Sequence, residues 1–137
     1  MRLTLRQPGD TIRRRSVLLW LYLLNAAVLI THEIDSAFER EWELFGLPGG
    51  IQLFLVLNLA LVVLILYGLY ALARRRMSGR VLSWLLVAGG VFAVAAHSYF
   101  LARGSQSFRS PASLALLAAT LVLSVAQAIV MRRQRRA

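Results

Sequence analysis

Two histidines and a group of carboxylates are the side chains of this sequence best suited to chemistry. His32 lies near the end of the first apolar segment and His97 near the end of the third. Asp35 follows His32 by three residues and Glu39 follows Asp35 by four, so a helix places all three on one face. Two imidazoles and one or two carboxylates at a shielded position could ligate a divalent metal such as zinc or iron. The same groups could act instead as a general base or a proton relay.

Four long apolar segments must position these residues. Hydrophobic residues make up 58% of the 137 residues and charged residues only 16%, whereas soluble proteins carry roughly 25% charged residues. A helix needs about 20 mostly apolar residues to cross the roughly 30 Å of bilayer hydrocarbon. The sequence therefore predicts an all-α integral membrane four-helix bundle, a single membrane domain over 1–137 with spans at about 16–36, 51–73, 81–102 and 111–131.

An amphipathic helix is predicted after the first span, at about residues 34–45, resting in the outer membrane interface. Its apolar residues recur at spacings of four, four and three and form a stripe: Ile34, Phe38, Trp42 and Phe45. Tryptophan favours headgroup depth, so Trp42 and Phe38 are the predicted interfacial anchors. Pro48 and two following glycines then permit a sharp return into the second span.

The arginines predict the orientation of the chain. With a cytoplasmic N-terminus, the inner segments hold 13 of the 16 basic residues and one acid, and the outer segments hold three basic residues and five acids. Basic residues in short loops mark the cytoplasmic side, so both termini are predicted to be cytoplasmic. A cleavable signal peptide that leaves three spans is the alternative, but no clean small-x-small cleavage site follows the first apolar run.

The high positive charge does not indicate nucleic-acid binding. The net charge is +10 and the pI about 11.7, but the arginines lie in short clusters at helix ends, whereas a nucleic-acid binder gathers them on one folded face. The chain has no cysteine, which excludes disulfides, thiolate ligands and a cysteine nucleophile. The expected partners are the lipid bilayer and a membrane protein or a second copy of the chain.

Three polar residues on different spans are predicted to reach one depth. His32 and His97 each lie 17 residues beyond an inner arginine, and Asn58 lies 16 residues before one. At about 1.5 Å per helical residue, each stands roughly 24–26 Å above its arginine. With Ser36, they form a predicted polar layer near the outer boundary. The plain alternative is structural: acids and histidines that face headgroups and water, and amides that serve as interhelical hydrogen-bond partners, namely Asn25, Asn58 and Gln127.

Small residues indicate where the helices pack. Gly89 and Ala93 are four residues apart in the third span, with Gly90 beside them, and several alanines line the fourth span. In lipid, small side chains allow two helix backbones to approach closely. The sequence therefore predicts close packing of the third and fourth spans.

The end of the first span also carries a resemblance. Thr31-His32-Glu33-Ile34-Asp35-Ser36, followed by Glu41-Trp42 and Leu47-Pro48-Gly49-Gly50-Ile51-Gln52, resembles a group of small bacterial membrane proteins of unknown function with a His-Glu-x-Asp…Glu-Trp signature. More distantly, the chain is similar to the membrane proteins named for an H-x-x-E-E motif, although Asp35-Ser36 stands in place of the paired glutamates. The resemblance covers about residues 31–58 and implies a four-helix protein of the bacterial cytoplasmic membrane. It implies no activity, cofactor or substrate.

Two functional hypotheses follow. The first is a membrane-embedded enzyme or metal-binding protein with its site at the outer face, in which His32, Asp35, Glu39 and His97 are ligands or acid–base groups. The second is a non-catalytic accessory or scaffold subunit of a membrane complex. A small multidrug transporter ranks last, because the centre of the first span carries Asn25 and no acid. The sequence alone leaves open whether the protein is an enzyme.

Overall fold

The computed structural model describes the backbone of residues 8–136 and the side chains of residues 16–135, and every regular element in that range is an α-helix. Four of the helices are long and apolar enough to cross a membrane, which confirms the predicted all-α membrane four-helix bundle. The helices are α1 (Pro8–Phe38), α2 (Glu41–Leu44), α3 (Gly50–Ala73), α4 (Met77–Ala102) and α5 (Pro111–Arg136). All four long helices begin or end beyond the predicted spans, α3 by a single residue, because polar and charged residues continue a helix outside the apolar segment.

Each long helix packs between two neighbours. α1 is flanked by α3 and α5, and α4 is flanked by the same two helices. α1 and α4 also contact each other across the centre, whereas α3 and α5 do not. The α1–α4 pair is therefore the short diagonal of the bundle, and side chains from these two helices can meet in its middle.

The two ends of the bundle differ in charge. One end, here named the arginine end, comprises the α3–α4 turn and the last turns of α5, whose described arginines are Arg74, Arg75, Arg76, Arg80, Arg132, Arg133 and Arg135. Arg135 lies over the ring of Trp84, 5.8 Å from its centroid, and so links the end of α5 to the start of α4. The opposite end, here named the histidine end, holds both histidines and the acids of residues 33–43.

The four spans turn large apolar side chains outward and polar ones inward. The outward residues include Leu55, Leu59, Leu66, Phe92 and Val122, whereas the buried polar residues are Asn25, His32, Ser36, Ser83, His97, Ser113, Thr120, Ser124 and Gln127. Lipid tails solvate apolar side chains but offer no hydrogen bonds. This distribution is the one that a bilayer favours and water does not.

Buried amides connect three helices near the middle of the bundle. The Nδ2 of Asn25 in α1 donates to the Oε1 of Gln127 in α5 at 3.0 Å, and Gln127 Nε2 donates to the carbonyl of Ser83 in α4 at 3.2 Å. The remaining long helix, α3, is joined to α1 by Tyr22, whose hydroxyl donates to the Ile65 carbonyl at 2.9 Å. Interhelical hydrogen bonds in lipid each contribute about 1 kcal/mol, so these contacts set the register of the spans.

The predicted interfacial helix at 34–45 is corrected in one respect, because it is not continuous. Arg40 has a left-handed backbone, with φ 56° and ψ 45°, and separates the end of α1 from α2. Phe38 is 83% exposed, whereas Trp42 packs on Phe54, with ring centroids 5.5 Å apart. The left-handed residue turns the chain, so the predicted apolar stripe divides between an outward-facing half and a half that covers the bundle. Phe45 belongs to the second half and contacts the ring of Phe100.

The third and fourth predicted spans are α4 and α5, and their predicted close packing occurs at Gly90. A side chain at Gly90 would meet Ser124 and Thr120 of α5, whereas one at Gly89 would meet nothing within 4 Å. A close backbone approach also joins α4 to α3, because a side chain at Gly79 would collide with the backbone of Leu72. Glycine at position 79 therefore allows the short α3–α4 turn to bring its helices together.

We expect Gly79→Ala to destabilise the bundle and Gly89→Ala, ten residues along the same helix, not to do so. Alanine at position 79 must displace the α3 backbone, and overpacking of this kind costs about 1–3 kcal/mol. Alanine at position 89 meets open space and gains about 1 kcal/mol of helix propensity. The free energy of unfolding in mixed micelles measures both. Equal stability of the two variants would contradict the assigned close approach.

Candidate functional site

The two histidines meet across the short diagonal of the bundle. The ring centroids of His32 in α1 and His97 in α4 lie 4.7 Å apart, with the ring planes at 74°. The two side chains are only 1% and 2% exposed. The prediction that these spans bring their imidazoles together is therefore confirmed, and both rings are removed from bulk water.

Phe108, in the α4–α5 connection, covers the histidine pair. Its ring centroid lies 4.1 Å from that of His97 and 6.0 Å from that of His32. Phe108 has a φ of 61°, a left-handed conformation that costs a bulky residue about 1–2 kcal/mol. The surrounding packing holds the residue in this conformation, and the phenyl ring closes the end of the bundle over the imidazoles.

One hydrogen bond determines which nitrogen of His97 is chemically available. His97 Nδ1 lies 2.7 Å from the carbonyl oxygen of Ala93, one turn earlier in α4. A carbonyl only accepts, so Nδ1 must carry the hydrogen. In the neutral ring, Nε2 then carries the lone pair, and this buried atom has no hydrogen-bond partner. A backbone carbonyl on the far nitrogen is also the arrangement that orients many metal-binding and catalytic histidines.

A carboxylate faces that available nitrogen. The Oε1 of Glu41 lies 3.7 Å from His97 Nε2, close enough for an ion pair but longer than a hydrogen bond. Glu41 begins α2, directly after the left-handed Arg40. The break in the helix at Arg40 is therefore what brings Glu41 back over the histidine end. A lone pair and a carboxylate repel each other, so the pair favours a proton or another cation between them.

A chain of hydroxyls joins Asp35 to the surface. Ser113 Oγ donates to Asp35 Oδ1 at 3.0 Å. Because that hydroxyl hydrogen is used, the 2.7 Å contact between Ser110 Oγ and Ser113 Oγ has Ser110 as the donor. Ser110 in turn accepts the backbone N–H of Ser113 and caps the start of α5. Asp35 Oδ2 and the neighbouring Ser36 Oγ are buried without partners.

A cleft of about 170 Å³ lies beside the histidine pair. Glu33, Glu41 and Asn58 supply its polar lining, and the rest is apolar: Phe45, Leu47, Phe54, Leu57 and Leu61. Asn58 Nδ2 donates to the Phe54 carbonyl at 3.2 Å. Asn58, predicted to share the layer of the histidines, thus lies in the adjoining cleft.

The arginines of the histidine end do not neutralise these acids. Arg40 pairs with the exposed Glu43. Arg103 lies over the ring of Tyr99, and Arg109 donates from Nε to the Ser105 carbonyl. Within residues 16–135, the ion pairs are Arg40–Glu43 and His97–Glu41. The carboxylates of residues 33, 35 and 41 therefore face the site without an arginine partner.

The structure assembles part of the predicted ligand set. His32 and His97 are together and Ser36 is buried next to them in α1, but Asp35 bonds to Ser113, and no described side-chain contact links Glu39 to either histidine. Across the described residues, no group of three or more histidines and acids is placed to hold a metal ion. Metal binding therefore stays a prediction, without an assembled ligand set.

Glu33, Glu41 and Phe108 are the site residues that the spacing argument missed. Helical periodicity counted from His32 selects Asp35 and Glu39, whereas Glu41 reaches the site only because the chain turns at Arg40. The signature shared with the resembling bacterial proteins contains Glu33 and Glu41, so that signal was present. Nothing in the sequence marks Phe108, whose role depends on the path of a loop.

The fold and the site define a helical membrane protein with a buried imidazole–carboxylate centre at one end of a four-helix bundle. The chain belongs to the family of unknown function DUF6713, which it matches over residues 18–134. The matched range includes all the site residues described above. No curated protein and no solved structure matches the chain significantly.

We expect Phe108→Ala to uncover the histidines and to destabilise the bundle by about 3 kcal/mol, the usual cost of removing a buried phenyl ring. Both imidazoles should then react faster with diethylpyrocarbonate. Mass spectrometry of the peptides that contain His32 and His97 measures the two reaction rates. Phe92→Ala is the matched control, because Phe92 is an exposed phenylalanine of α4. Unchanged histidine reactivity in Phe108→Ala would refute the covering role.

Proposed function

We propose that this chain is an integral membrane protein that performs acid–base chemistry at its histidine end, with His97 as the proton acceptor and Glu41 as its charge partner. His32 and Phe108 exclude water from the acceptor, and the adjoining cleft admits the molecule that exchanges the proton. In this proposal the protein is a membrane-embedded enzyme that lies in the bacterial cytoplasmic membrane. The histidine end faces outward, and both termini are cytoplasmic.

A single observation carries the proposal: the buried His97 Nε2 lies 3.7 Å from Glu41 Oε1 while Nδ1 is held by a backbone carbonyl. A general base needs an available lone pair, a fixed ring orientation and a partner that stabilises its protonated form. His97 combines these three features. The accepted proton would form an Nε2–H bond directed at the carboxylate, which replaces a repulsive contact with an ion pair.

The charge distribution supports the proposed orientation. The arginine end gathers seven described arginines, and every acid of the described side chains lies at the histidine end. Positive residues are retained on the cytoplasmic side during insertion. A cleft at the opposite end would then open toward the periplasm or the outer leaflet, so its substrate would be lipidic or periplasmic.

Nitrogen NMR of the histidine side chains tests the proposal directly, because the chain contains only two histidines. In ¹⁵N-histidine-labelled protein in phosphatidylcholine nanodiscs, neutral His97 should carry its hydrogen on Nδ1. Glu41→Gln should shift the signal of His97 Nε2, because the carboxylate that faces this nitrogen is gone. The signals are assigned with His32→Gln.

Glu43→Gln is the matched control, since Glu43 is an exposed acid of the same short helix and pairs with Arg40. It should leave the His97 signals unchanged. Neutral His97 with its hydrogen on Nε2, or equal spectra for the wild type and Glu41→Gln, would contradict the acid–base assignment and favour the accessory-subunit hypothesis.

A further inference from the structure

We infer that the cleft beside the histidine pair binds the ammonium group of an amphiphilic amine, with Glu33 and Glu41 as its charge partners. The inference rests on the proposed function and deepens it, because it names the substrate class of the same site. Glu33 comes from α1, Glu41 from α2 and Asn58 from α3, so three elements converge on one polar point of the cleft.

The two acids of the cleft favour the binding of a cation. Glu33 and Glu41 line the same cleft, and neither has an arginine partner among the described residues. Two carboxylates that share a partly buried site repel each other unless a proton or a positive group lies between them. An ammonium group supplies one positive charge and several N–H donors, which can be divided between the two carboxylates.

The free nitrogen of His97 is a second observation that indicates a positively charged ligand. His97 is 2% exposed, its Nε2 has no hydrogen-bond partner, and it faces Glu41, which lines the cleft. With Nδ1 carrying the hydrogen, this nitrogen is an acceptor. The cleft therefore presents two carboxylates, and the imidazole lone pair of His97 faces one of them, Glu41. A positively charged N–H donor satisfies both carboxylates and relieves the repulsion between Glu41 and that lone pair.

The walls of the cleft select an amphiphile over a bare ion. Phe54, Leu57 and Leu61 of α3 form much of its apolar lining, and a hydrated inorganic ion gains nothing from such a surface. An alkyl chain attached to the ammonium group would bury against these side chains, at about 0.8 kcal/mol per buried methylene. The described residues also hold no group of three or more histidines and acids suited to a metal ion. Charge and shape therefore favour an amine with an apolar tail.

Calorimetric titration of the full chain in phosphatidylcholine nanodiscs tests the inference with three probes. Hexylamine carries both the charge and the tail, hexanol has the tail without the charge, and methylammonium has the charge with almost no tail. Hexylamine should bind about tenfold or more tightly than either of the others, a difference of about 1.4 kcal/mol or more. Empty nanodiscs measure its partition into lipid and are subtracted.

Variants separate the cleft from the acid–base pair. Glu33→Gln and the double variant Glu33→Gln/Glu41→Gln should weaken hexylamine binding about tenfold or more, whereas Glu43→Gln should bind as the wild type does. The ¹⁵N signals of His97 are measured on the wild type without amine, so a failure of amine binding is distinguishable from a failure of the proton-acceptor assignment. Gel filtration and thermal unfolding establish that each variant is folded.

Three results would overturn the inference. Equal binding of hexanol and hexylamine would mean that the cleft takes up apolar chains without regard to charge. Undiminished hexylamine binding by the folded double variant would remove Glu33 and Glu41 from the site. Tighter binding of calcium or zinc than of hexylamine, lost in the same variants, would replace the amine by a divalent cation.

Discussion

The structure depends on the removal of polar side chains from water at one end of a lipid-facing bundle. Burial of a polar atom without a partner costs about 1–3 kcal/mol. Four such atoms lie at the histidine end, on His32, Asp35, Ser36 and His97. The mid-bundle amides Asn25 and Gln127 instead bond to each other. Two further atoms of this kind, Trp84 Nε1 and Thr120 Oγ1, lie elsewhere among the described residues, so most of the unpartnered polar atoms are at the histidine end.

The short diagonal of the bundle determines which helices can build such a centre. α1 and α4 approach across the middle, whereas α3 and α5 remain apart. α1 and α4 accordingly supply the two imidazoles, and their neighbours add the outer groups. α5 contributes Ser113 to Asp35, and α3 contributes Asn58 to the cleft. The polar centre is thus a consequence of helix order, which sets the distance at which side chains from different spans meet.

The sequence predicted the scaffold well and the site in part. Apolar lengths and the fixed rise of a helix were enough to predict the four spans and to bring His32 and His97 to one level. The same arithmetic selects Glu39 by its spacing from Asp35 and misses the turn at Arg40, which brings Glu41 to face His97. A backbone reversal at one residue leaves little trace in periodicity, because an arginine has no marked preference for a left-handed conformation. Tertiary packing decides it.

Two of the three non-glycine residues with a left-handed backbone among the described residues lie at the histidine end, and the third, Arg75, lies in the α3–α4 turn. Arg40 and Phe108 are non-glycine residues with left-handed φ values of 56° and 61°, and each conformation costs about 1–3 kcal/mol. The first turns the chain so that Glu41 reaches His97, and the second places a phenyl ring over both imidazoles. Without these two turns, the imidazoles would not be covered by Phe108 and the Glu41 carboxylate would not face His97. In the proposed acid–base site, these two strained residues have distinct tasks, since one brings the charge partner to His97 and the other encloses both imidazoles.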